Sequence, residues 1–223
     1  ECFRFWKAAD AQVGDDFQIN PEQIESRYFG VLTKIFNVGR FASQFDFDGD
    51  IDSVPDNLEN EDKWILAEFS ELLDKAKTGY SGMDIYTAAQ GIKIFSTGVF
   101  ASHWLEMAKT RLYNDDASAT WTLHRVFRDM MSILSPICPF FTHHLSTTLY
   151  GKSAVDVDTF PEKPLSDTSD FTSMTESLIE FNSQVWKAKK DAGISLAAPI
   201  SGHKIPVSLK SIEQALVSMH KLE

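Results

Sequence analysis

Apolar residues along this chain recur at helical spacing in one segment after another. Ile24, Tyr28, Val31, Leu32, Ile35, Phe36 and Val38 form one such stripe. Asn20 stands before it as a cap and Pro21 as a first helical residue, so a helix is expected from Glu22 to about Ser43. Trp64, Ile65, Leu66, Phe69, Leu72, Leu73 and Ala76 predict a second, over Trp64 to Thr78, broken by Gly79 to Gly82. Ile85, Ala88, Ala89, Ile92, Phe95 and Val99 predict a third, from Asp84 as far as Lys109, with Gly91 and Gly98 as places for a bend. Ser118 to Leu134 reads as a helix. Pro136 and Pro139 separate it from another over Phe140 to Leu149, which Gly151 ends.

The last long stripe runs from Phe171 to Asp191 and stops at Gly193. Ile205 to Leu209 suits a short extended segment, and Ser211 to Lys221 a short terminal helix. No strand-rich block, fixed-period repeat or heptad run appears. The class expected is all-α, an antiparallel helix bundle with a small C-terminal appendage. The polar, proline-broken stretch Asp156 to Asp170 is the candidate linker, which divides the chain into residues 1–165 and 166–223. Leu222-Glu223 reads as a cloning scar and carries no functional argument.

At 223 residues and 43% hydrophobic content, the chain can bury one sizeable core. No apolar run reaches the roughly 20 residues of a membrane span. Cys2 and Cys138 stand far apart, which argues against a zinc site or disulfide framework and fits a reducing cytoplasm. The net charge of −11 disfavours non-specific binding to nucleic acid. Much of that charge sits in one loop, Asp46 to Asn60, whose density of like charge, Gly and Pro predicts a mobile, dispensable segment. Basic residues gather elsewhere: Arg27, Lys34 and Arg40 on one predicted helix, and Lys187, Lys189 and Lys190 on another.

Candidate chemistry is sparse. The Asp46 to Asp52 run imitates a calcium loop, but the positions that need Gly and Glu hold Ile51 and Asn57. His143-His144 lacks the carboxylate spacing of a metal site. Cys138 between two prolines has no arguable base, and Gly151-Lys152-Ser153 follows a helix where a P-loop would follow a strand. Arg111, Arg125 and Arg128 suit salt bridges between helices. No cluster supports catalysis or a metal.

Four ordered segments carry a resemblance. They are Gly14-Asp15-Asp16-Phe17; Leu32 to Phe41 (LTKIFNVGRF); Ala108-Lys109-Thr110-Arg111-Leu112-Tyr113; and Lys189 to Ile200 (KKDAGISLAAPI). Together they resemble the helical anticodon-binding domain of class I aminoacyl-tRNA synthetases for branched aliphatic amino acids, and within that group the valyl type. Departures are Phe36, Gly39, Thr110, His143-His144 and Ser146, where the family commonly has Trp, Ala or Ser, Pro, two acidic residues, and Trp. The resemblance implies tRNA, specifically tRNA(Val), as partner. It implies that ATP and magnesium belong to a catalytic domain of the same polypeptide, with residues 1–19 as the connector from it. The HIGH and KMSKS signatures of that domain do not occur here, so this chain alone is expected to be non-catalytic, without cofactor, and monomeric.

An anticodon loop offers splayed bases and closely spaced phosphates, which proteins meet with aromatic rings, hydrogen-bonding side chains and Lys or Arg. Lys34, Asn37, Arg40 and Phe41 supply all three types on one helix, and Gly39 beside them would let a base near the backbone. Lys187, Lys189 and Lys190 form a second expected tRNA-binding set. The residues taken alone leave Phe41 open as a core residue and the lysines as a solvated face. They also leave open an isoleucyl- or leucyl-type domain, a free-standing helical protein-interaction module and a small helical enzyme.

Overall fold

The computed structural model describes residues 1–11, 14, 16, 19–152, 160–166 and 169–223. The turn at Gly14 to Phe17 and the part of the Asp156 to Asp170 stretch at 156–159, 167 and 168 lie largely outside them. The described elements run α1 (Cys2–Ala9), α2 (Pro21–Ala42), α3 (Asn60–Ser81), α4 (Ile85–Ile94), a π-helical segment (Phe95–Trp104), α5 (Leu105–Leu112), α6 (Ala117–Leu134), α7 (Pro139–Tyr150), α8 (Ser169–Thr172), α9 (Thr175–Asp191), a 3₁₀ turn (Val207–Ile212) and α10 (Glu213–His220). Among the described residues there is no strand, only an isolated bridge between Ile200 and Leu222. The protein is an all-α bundle.

Local chemistry sets the boundaries. The Asn20 side chain accepts from the Gln23 amide at 3.2 Å, and Pro21 opens α2. α2 buries Ile24, Tyr28, Leu32, Ile35, Val38 and Ala42. A Cβ at Gly39 would lie 2.9 Å from Cζ of Phe127, so glycine here lets α2 press onto α6. That corrects the expectation that Gly39 clears space for a base: it faces Phe127 and Leu145.

The long helix expected from Asp84 to Lys109 forms, but its middle ten residues are π-helical. Gly98 lies inside that segment, while Gly91 accommodates the Leu72 side chain from α3. An i→i+5 ladder places residues five apart above one another. Phe95 and Phe100 accordingly stack 5.9 Å apart at 8°, and Phe100 stacks on Trp104 at 5.3 Å and 8°. These rings are buried in the centre of the bundle.

Both ends of the chain pack on this core. α1 buries Phe5, Trp6 and Ala9, with Phe5 edge-on to Tyr28 at 5.4 Å. Asp10 just after it pairs with Lys93 at 2.6 Å and Arg27 at 3.1 Å. Residues 160–166 lie along the bundle: the Glu162 carbonyl accepts from Arg125 at 2.8 Å, and Lys163 meets Asp74 at 2.8 Å. At the far end a buried polar chain holds α9 and α10. Asn182 Nδ2 donates to His103 Nδ1 at 2.9 Å, and His220 Nε2 donates to Asn182 Oδ1 at 2.7 Å. The extended segment expected at Ile205 to Leu209 is instead largely the 3₁₀ turn from Val207, with Leu209 and Ile212 buried.

Candidate nucleic-acid interface

The outer face of α2 carries Asn37 and Arg40, both exposed. Among the described residues neither side chain is engaged in a hydrogen bond or ion pair, so both are available to a ligand. Arg40 sits in the last turn, where a cation suits the negative end of the helix dipole. Phe41 follows it, half-buried. Its ring meets Phe45 at 4.9 Å and 63°, and Tyr113 at 5.9 Å and 89°. Phe45 and Tyr113 close the triangle at 5.6 Å and 61°. Three rings from two loops and a helix end thus form one cluster beside Arg40, and Tyr113 is its outermost member, 63% exposed.

Two networks hold the cluster from behind. Arg111 reaches Glu61 at 3.0 Å, Asp62 at 2.7 Å and Asp116 at 3.0 Å. Trp104 Nε1 and Ser118 Oγ donate to Asp62 at 3.1 and 2.8 Å. Asp116 caps α6 through the Ala119 amide, so one guanidinium fixes the α5–α6 turn that presents Tyr113. On the other side His124 Nε2 donates to the Phe45 carbonyl at 2.7 Å, and Phe47 stacks on the His124 ring at 5.8 Å.

The acidic loop is therefore fastened, not loose. Arg128 meets Asp52 at 2.7 Å, Arg125 donates to the Ile51 carbonyl at 3.2 Å, and Leu58 is buried. Charge and breaker density predicted mobility because sequence does not show the two buried-side arginines that receive the loop. Of the three arginines expected to bridge helices, Arg111 does so, joining α5 to α3, whereas Arg125 and Arg128 pair with Asp52 of the loop and with Asp129 on their own helix.

The predicted lysines divide. Lys34 is exposed, and its ammonium donates to the Thr97 carbonyl and, at 2.7 Å, to Ser102 Oγ, which clamps α2 to the π segment. Lys187 and Lys190 are exposed on α9, as a basic face requires. Lys189 is 0% exposed and donates to the carbonyls of Leu196 and His220 at 2.8 Å each. It is a buried structural cation, which corrects its assignment to a tRNA contact. α2 and α9 share the π segment as a support, through Lys34 and Asn182 respectively.

Chemistry elsewhere is muted. Burial and the Glu1 carboxylate push the Cys138 thiol up to about 12, so it stays protonated. His143 and His144 are exposed on α7, and among the described residues no group of three or more His, Cys, Asp or Glu could hold a metal. No described helix is long and apolar enough to cross a membrane. Sequence reasoning missed Phe45 and Tyr113 as site residues. The signal available was a tyrosine ending a helix just before Asn114-Asp115-Asp116, a polar turn that leaves its ring uncovered.

The chain matches the family described as the anticodon-binding domain of tRNA ligase over residues 62–204, which includes Tyr113 and the α9 lysines and begins after α2. It is 30% identical over 224 residues to a valine–tRNA ligase of Nanoarchaeum equitans, covering 100% of this chain and 28% of that protein. It is 31% identical over 235 residues to the valine–tRNA ligase of Aeropyrum pernix, covering 99% of this chain and 28% of that protein. A third, from Sulfurisphaera tokodaii, is 34% identical over 166 residues, with 71% and 20% covered. The chain spans between 20% and 28% of the length of these relatives. The match to a helical family, and the all-α bundle with an exposed polar and aromatic face, agree: the chain belongs to the anticodon-binding domain family of tRNA ligases.

Proposed function

We propose that this chain binds the anticodon stem-loop of tRNA(Val) and positions that tRNA for aminoacylation by a valine–tRNA ligase. In this reading a catalytic domain of the same polypeptide uses ATP and magnesium, and this chain contributes binding alone, as a monomer in the cytoplasm. The observation that carries it is the exposed Asn37 and Arg40 beside the Phe41–Phe45–Tyr113 cluster, on a chain of the anticodon-binding family. Arg40 suits a phosphate or a base edge, Asn37 a base edge, and the aromatic cluster a splayed base. Lys187 and Lys190 suit phosphates further along the stem. The net charge of −11 disfavours non-specific binding rather than a specific contact, and within the acidic loop Asp52 pairs with Arg125 and Arg128.

The names of the relatives favour valine over isoleucine or leucine. The test is a titration with tRNA(Val), with tRNA(Val) carrying an isoleucine anticodon, and with an unrelated tRNA, at two salt concentrations. Tighter, anticodon-dependent binding to the first is expected. Equal binding to all three would remove the anticodon reading and leave a helical protein-interaction module.

A further inference from the structure

We infer that Tyr113, and not Phe41, is the surface on which an unstacked base rests, with Phe41 and Phe45 as its buttress. The inference deepens the anticodon reading and rests on it. Stacking requires a ring face open to solvent. Phe41 and Phe45 are half-buried and held by each other, whereas Tyr113 keeps 63% of its surface exposed. Both phenylalanines meet Tyr113 steeply, at 89° and 61°, so no parallel ring covers its face.

A stacking platform also has to be fixed before the ligand arrives. Tyr113 ends α5, its amide donating to the Lys109 carbonyl at 3.0 Å. The next residues close a tight turn, with Asp115 at φ 57° and the Asp116 amide donating to the Arg111 carbonyl at 3.1 Å. Arg111 then ties that turn to the buried Asp62. The ring is thus held by a hydrogen-bonded turn behind it and two steeply inclined rings beside it. The phenol adds a donor and acceptor at the rim, where a base edge or ribose hydroxyl of a single-stranded loop would lie. The occupant is a base splayed from a single-stranded RNA loop.

The experiment uses this chain and a short RNA hairpin carrying a valine anticodon, with the fluorescent base 2-aminopurine placed at each anticodon position in turn. For Tyr113→Leu, which keeps apolar bulk but has no π face, binding should weaken about 5- to 150-fold and quenching at one position should disappear. Tyr113→Phe and Tyr113→Trp should retain the quenching and most of the affinity, losing only what the phenol hydroxyl adds. The thermal midpoint of Tyr113→Leu should stay near that of the parent, and persistence of quenching in the ring-retaining variants separates stacking from packing. Unchanged binding and quenching in Tyr113→Leu, with weaker binding in Arg40→Ala, would overturn the stacking assignment and leave the anticodon reading standing. A parent chain that binds no hairpin would overturn both.

Discussion

Arg111 Nη2 lies 2.7 Å from Oδ2 of Asp62, a carboxylate with no solvent exposure. The same guanidinium spans Glu61 and Asp116, so α3, α5 and the start of α6 meet at one side chain. Removing it would strand Asp62 as a buried charge. Arg111→Met should therefore cost about 3–5 kcal/mol of stability, read from urea unfolding. Arg111→Lys should recover only part of this, since an ammonium cannot present the planar fork to three carboxylates. A loss below about 1 kcal/mol in Arg111→Met would show that the network is not what holds the α5–α6 turn.

The loop at 46–60 gives a second prediction. Replacing 46–57 with a Gly/Ser linker removes the Phe47–His124 stack and the Asp52 contacts of Arg125 and Arg128. Arg125, itself buried, would keep Asp129 but lose the Ile51 carbonyl. The melting temperature should fall by on the order of 10 °C, the equivalent of a few kcal/mol in a domain of this size. Asp52→Asn alone should change little, because that carboxylate is mostly exposed and its pairs are screened.

Acid should loosen the C-terminal region first. Burial, helped by Lys34 for His103 and by Lys189 for His220, lowers both imidazoles to about 4. The hydrogen bonds agree, because Nδ1 of His103 must be unprotonated to accept from Asn182. The unfolded chain binds these protons near pH 6.5 and the folded chain only near 4. Stability from the neutral pair is thus complete above about pH 6.5 and falls as pH drops toward 4. Hydrogen exchange at pH 7.5 and 5 should show α9 and α10 losing protection while α3 and α6 keep it. A uniform loss across the bundle would contradict the assignment to this pair.

Two α9 lysines separated by one residue should behave in opposite ways. Lys187→Ala should leave unfolding unchanged and lower the slope of log affinity against log salt by about one contact's worth. Lys189→Met should leave that slope alone. It should destabilise instead, by about 1–3 kcal/mol for each carbonyl left unpaired, Leu196 and His220. Swapped outcomes would put the tRNA face on the other side of α9.

Helix existence was legible in the sequence because each stripe is long and its caps are explicit, as at Asn20, Pro21 and Gly151. The π segment was not, since helical spacing does not distinguish an i→i+4 from an i→i+5 ladder; the clue was Phe95 and Phe100 five apart. Of the candidate site, Asn37 and Arg40 were visible as exposed polar positions on an apolar helix. Lys34 and Lys189 were not separable from them, because a lysine's flexible stem lets its charge reach carbonyls on packed elements that are remote in sequence. Their destinations are tertiary facts. Tyr113 needed the turn held by Arg111, whose partners lie about fifty residues earlier in the chain.

The π segment has one more consequence. It carries Lys34 of α2 on one side and, through His103 and Asn182, the helix of Lys187 and Lys190 on the other. Under the proposed function, the α2 and α9 contacts would be two weak RNA contacts mounted on one segment and would act as a bivalent ligand whose spacing is already set. Engaging an RNA loop at α2 would then raise the effective concentration of phosphate at α9. Loosening that segment, by Asn182→Ala for instance, would lower affinity for a whole tRNA more than for an isolated hairpin, although no residue that touches RNA has changed.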